Sequence, residues 1–231
     1  MRTLRQHIEK LRKVRRSEHH PLIYTIHKKH KVSKRTLFYI KEYGPHSHVA
    51  KTILRESIEI ILLAAILSSF GGFALERVKL LFMQIIPLII MFPTLNAMIG
   101  DYGIIVSSRF STMLHEGKVK NDIWSSRILK ILFMQIMLIA FITAILSTGL
   151  SLITSKFMGS TFDAMLAIKL MLTIIVDVLV LVMVLFIISV VAGRYFYNKK
   201  EDPNNFLIPI TTSIADFGNM LLLSLLVLLF F

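Results

Sequence analysis

Three aspartates, Asp101, Asp177 and Asp216, each lie inside a long run of Leu, Ile, Met, Val and Ala. A carboxylate at the centre of a membrane helix costs about 2.5–3.5 kcal/mol on insertion scales, so such residues normally face a bundle interior or a wet cavity. Around Asp216, the offsets −4, −3 and +3 carry Thr212, Ser213 and Asn219, a polar stripe on one helix face. Around Asp101, Thr94, Ala97 and Ser108 share a face. A second stripe on the same helix runs Pro93, Asn96, Gly100, Gly103, Ser107, whose small residues admit a neighbouring helix. Asp177 has only Thr173 on its face. Each aspartate has two readings: a polar contact that glues helices together, or a cation site. The oxygen-bearing neighbours of Asp216 point to the cation site; for Asp177 both readings stay open, and Asp101 stands between. Carboxylate, amide and hydroxyl oxygens without thiolate suit hard cations such as magnesium, calcium or manganese. Magnesium dehydrates reluctantly, so one or two carboxylates in a wide pore would take it partly hydrated.

The elements that carry these residues follow from composition. The chain has 231 residues, 55% of them hydrophobic, no Cys and a net charge of +13. The charge is segregated: residues 1–55 are net +12 and residues 56–231 net +1. A soluble globule, a disulfide framework and a Cys-ligated metal site are excluded. Five apolar stretches, at about 58–75, 80–108, 128–153, 162–192 and 206–231, are long enough to span a bilayer as helices. The second and fourth exceed one straight crossing, so tilt or a break is expected there. The fold class is therefore an all-α polytopic membrane protein: a basic segment, 1–55, before a five-helix domain, 56–231. With the N-terminus in the cytoplasm, 23 of the 27 Lys and Arg fall on the cytoplasmic side. That predicts N-in and C-out.

The basic segment places Leu4, Ile8, Leu11 and Val14 at helical spacing until Pro21, as a basic helix lying on anionic lipid would. Cationic charge alone is sequence-blind, and no nucleic-acid partner is expected. Ser47 is placed to cap the helix that becomes the first span. His7, His19, His20, His27, His30, His46 and His48 also lie here, without the carboxylate or Cys partners that would complete a metal site. No phosphate loop, nucleophile elbow or metallohydrolase motif is present, so the chain does not read as an enzyme or an ATP-driven pump.

Two strings resemble the MgtE-type magnesium channels and their eukaryotic solute-carrier relatives. FPTLNAMIGDYGIIVSSRFSTMLHEGKV (92–119) is similar to the family's second membrane helix through Pro93, Gly100, Gly103, Arg109 and Gly117, with Asp101 where many members have Asn. DPNNFLIPITTSIADFGNMLLL (202–223) resembles the approach to the last helix through Asp202-Pro203, Pro209, Thr212-Ser213 and Asp216. The resemblance implies a homodimer with a pore between protomers, lined by the second and fifth helices. Asp216 would be the central ion-selecting carboxylate, with Pro209 and nearby backbone supplying carbonyl dipoles. A heterodimer with a similar five-helix chain would satisfy the same geometry. Bacterial members carry large cytoplasmic sensor domains, and the basic segment 1–55 is not expected to supply such a gate.

The reading is passage of Mg2+, with Mn2+ and Co2+ as other candidate ions, down its gradient in the plasma membrane. Asp216 would bind the ion, Asp101 and Asn96 would line or attract it, and Thr212, Ser213 and Asn219 would hold water or orient the carboxylate. Asp177 and Asp202 are second-tier. The alternatives are a proton- or sodium-coupled carrier and a non-transporting scaffold with a recruiting tail.

Overall fold

The computed structural model describes residues 27–29, 49–119, 126–199 and 202–231. The amphipathic stretch before Pro21, the His46/His48 pair and the Ser47 cap lie outside these residues. His27 heads a short exposed helical piece over 27–29. Among the described residues there is no strand. Five long helices follow: α1 (Val49–Gln84), α2 (Ile86–His115), α3 (Arg127–Phe157), α4 (Ala164–Asn198) and α5 (Pro203–Phe230). All five are long and apolar enough to cross a membrane.

The sequence sets each boundary. Pro87 lacks the N–H that would bond the Met83 carbonyl, so the first helix cannot run on, and Ile85 alone stands outside helical geometry. The expected break in the second apolar stretch falls here, and Leu80–Gln84 belong to α1 rather than to the second span. Arg77 and Lys79, which look like a loop in sequence, are exposed on the last turns of α1, where Lys79 pairs with Glu76 three residues earlier. Gly117 (φ 68°) and Gly159 (φ 83°) terminate α2 and α3. In each case the residue after the glycine donates back to a carbonyl five positions earlier, Lys118 to Met113 and Ser160 to Ser155. Asp163 and Asp202 cap α4 and α5, accepting from Leu166 N and Asn204 N.

α5 is the hub. α1, α2 and α4 each pack against it, and α3 sits on the far side, on α2 and α4. α1 runs parallel to α5, with Ser57 beside Asn205 and Ser68 beside Asp216; α2 runs antiparallel, with Asn96 beside Asp216 and Gly103 beside Thr211. The consecutive helices α1 and α2 lean on α5 rather than on each other. Hydroxyl pairs tie the remaining faces, the buried Ser107 to Ser189 at 3.1 Å and the partly buried Tyr102 to Thr143 at 2.6 Å. Leu62, Leu63, Phe73 and Leu146 are among the large apolar side chains left outward, as a lipid-facing surface requires.

Close approach to α5 depends on absent side chains. A Cβ at Gly71 would stand 3.2 Å from Met220 Cβ and 3.3 Å from Phe217 Cα, and one at Gly218 would stand 2.8 Å from Leu181. At Gly103 it would stand 3.0 Å from Thr211 Cβ, whereas beside Gly100 the space is open to 4 Å. Gly103 is thus the close approach anticipated on α2, and Gly100 is not. Gly71→Val is expected to destabilise the detergent-solubilised protein by about 1–3 kcal/mol, the usual cost of overpacking, read as a lowered thermal midpoint. Gly72→Val, which meets nothing within 4 Å, should leave the midpoint unchanged.

Candidate cation site

Asp216 lies on α5 between α1 and α2. Its Oδ1 accepts from Asn96 Nδ2 at 2.6 Å, and its Oδ2 stands 3.5 Å from the Ser68 hydroxyl of α1. Asn96 Oδ1 accepts in turn from Asn219 Nδ2 at 2.9 Å. Three helices therefore converge on one carboxylate through neutral donors. Among the described residues the ion pairs are Glu76–Lys79 and Glu116–Lys118, both near helix ends, so no fixed cation neutralises Asp216. The group is half-buried: neither sealed in the core nor turned out to lipid.

Pro209 shapes the approach to it. Lacking an N–H, it leaves the Asn205 carbonyl without its helical donor, and the Ser57 hydroxyl of α1 lies 3.5 Å from that oxygen. A half-buried line, Asn205, Pro209, Thr212, Asp216, runs up one face of α5. Beyond Asp216 on this face, Leu223 and Val227 are fully buried. Pro93 does the same on α2, freeing the Ile89 carbonyl about two turns before Asn96.

Of the residues expected at the site, Asp216, Asn96 and Asn219 come together. Thr212 and Ser213 do not reach the carboxylate. Their hydroxyls donate back to Ile208 and Pro209 carbonyls at 2.9 and 2.7 Å, the usual alternative for a hydroxyl inside an apolar helix. Their oxygen lone pairs, not their protons, would remain for an ion or its water. Asp101 is exposed and lies five residues past Asn96, which turns it well away from Asp216. It shares that outward face with Thr94, Ala97 and Ile105. Asp177 is fully buried on α4, and neither carboxyl oxygen has a hydrogen-bond partner; nor does the buried Thr173 hydroxyl one turn earlier. Asp202 caps α5 and stands apart from the cluster.

Ser68 and Ser57 were not legible as site residues. A serine in a Leu/Ile/Ala helix carries little signal of its own. The available clue was the small-residue series Ala64, Ala65, Ser68, Gly71, Gly72, which marks a face for close helix approach.

Chemically, the only atoms of the cluster able to ligate a cation are oxygens, one acidic group among them, and nowhere among the described residues do three of His, Cys, Asp and Glu gather. Such a site cannot replace a full hydration shell; it suits a hard divalent cation that keeps most of its water.

Comparison with known proteins agrees with this chemistry. The model of the MgtE family, divalent cation transporters, matches residues 92–226, more than half of the chain. The match runs from α2 into α5 and includes Asn96, Asp101, Asp177 and Asp216; α1, with Ser57 and Ser68, precedes it. Searches of curated proteins and of solved structures return no match. A five-helix integral membrane protein with an acidic, thiol-free polar cluster at its centre, the chain belongs to the MgtE family of divalent cation transporters.

Proposed function

We propose that the protein passes Mg2+ down its electrochemical gradient along a route between two copies of the chain, with Asp216 as the central ion-binding carboxylate. The observation that carries this is the unneutralised, half-buried Asp216 at the junction of α1, α2 and α5. α1 and α2 flank it without closing on each other, Pro93 and Ala97 are exposed alongside, and Gly100 leaves open space next to Asn96. A second chain laid against this cleft would complete a wall and bring two carboxylates near one axis. The resulting charge of about 2− matches a hydrated divalent ion. The exposed Asp101 then lines the approach, and Asn96 and Asn219 hold the Asp216 carboxylate in place. With the N-terminus in the cytoplasm and the plasma membrane as its location, membrane potential drives inward movement. A doubly charged ion gains about 4.6 kcal/mol per 100 mV, so no energy-coupling domain is needed.

A proton- or sodium-coupled carrier is the second reading, favoured by one observation: the buried, unpartnered carboxyl of Asp177. Flux in proteoliposomes separates the two. A channel follows voltage alone, whereas a carrier needs a counter-gradient and saturates.

Asp216→Asn should reduce Mg2+ uptake in a transport-deficient host to background while the purified variant keeps its thermal midpoint; normal uptake would refute the assignment. Asn96→Leu removes a 2.6 Å donor from Asp216 and the acceptor of Asn219. It should cost about 1–3 kcal/mol of stability, measured by thermal unfolding, and raise the Mg2+ concentration needed for half-maximal flux.

A further inference from the structure

The α2–α3 face carries a second feature that cation passage does not explain. A groove of about 560 Å³ lies between these helices, with Ile105, Ile131, Leu138 and Ile139 among its apolar walls and Arg109 and Gln135 as its polar groups. The two polar residues stand at one depth. The helices are antiparallel, tied by the Tyr102–Thr143 bond, and Arg109 lies seven residues after Tyr102 while Gln135 lies eight before Thr143. Both are exposed, and neither has a hydrogen bond or ion pair with any described residue.

An unpaired guanidinium beside acyl chains is costly. Arg109 is six residues from the end of α2, about 9 Å of helix, within reach of the headgroup region by snorkelling. The anion available at that depth is a phospholipid phosphate, which a guanidinium binds through two parallel N–H donors. Gln135 supplies a neutral donor suited to a glycerol ester carbonyl. The groove contains no acid to receive the ammonium of a zwitterionic headgroup, and the exposed Arg127 and Lys130 add positive charge at the same end of the bundle. We propose that the α2–α3 groove is a binding site for one anionic phospholipid, its phosphate on Arg109, its ester region on Gln135 and an acyl chain along Ile105 and Leu138. The site is independent of the assignment of Asp216.

Native mass spectrometry of the full chain in detergent, titrated with phosphatidylglycerol or phosphatidylcholine, tests this. The wild type should retain phosphatidylglycerol about tenfold better than phosphatidylcholine, and Arg109→Gln should abolish the preference while Gln135→Leu weakens it a few-fold. Ile105→Trp, which fills the groove without touching its charge, should also lose the lipid, and it serves if Arg109→Gln fails to fold. Equal retention of both lipids by the wild type would overturn the proposal, as would undiminished phosphatidylglycerol binding by either the Arg109 or the Ile105 variant. If the Arg109 variant instead turns dimers into monomers with lipid retention unchanged, the groove is an interface between copies and the proposal is wrong.

Discussion

An acidic side chain in a bilayer must be surrounded, and surrounding Asp216 is what the packing of this bundle accomplishes. The carboxylate finds polar partners only because α1 and α2 both come close enough to α5 to present Ser68 and Asn96. That approach rests on glycines: at Gly71 on α1 and Gly103 on α2, a single methyl group would strike α5. Without a hydrophobic drive between helices in lipid, such close backbone packing and a few polar contacts hold the bundle together. The same small residues that assemble the fold therefore assemble the site. Loosening one contact would expose a charge as well as lose van der Waals packing.

The donors around Asp216 are neutral, and this decides the chemistry. A permanent Lys or Arg partner would have cancelled the charge and left a structural ion pair. Asn96 and Ser68 fix the carboxylate's direction and leave its charge for something else. Prolines in α2 and α5 add carbonyl oxygens without adding charge, so the local potential is set by one acid and several dipoles. A site of this kind would hold a hydrated divalent ion loosely enough to release it, as the proposed passage requires. Membership of a divalent cation transporter family agrees with that physical reading.

The number of helices and the depth of the aspartates were legible because both depend on local composition: apolar runs of spanning length, and acids that interrupt them. The stripe linking Asp216 to Asn219 was legible because helical periodicity alone places them together. What could not be read from the sequence depended on three-dimensional choices. The end of α1 was misplaced because Arg77 and Lys79 resemble a loop, although an i,i+3 ion pair lets the helix carry them; Pro87 was the better marker. Thr212 and Ser213 share the face of Asp216 but spend their protons on their own backbone. Asp101 and Asp216 both sit in polar stripes, yet within one chain they face different ways, and Ser68 gave no signal until α1 was docked on α5.

The central claim is that the Asp216 carboxylate faces a watery metal route rather than serving only to hold three helices together. Crystals of the full chain grown with Mn2+, a hard divalent ion with an anomalous signal, address it directly. The account predicts an anomalous peak on the cleft side of Asp216, at direct or one-water distance from its carboxylate and near the axis relating two chains. A peak confined to the exposed loops, or a carboxylate sealed within α1, α2 and α5 with no ion or water beside it, would contradict it.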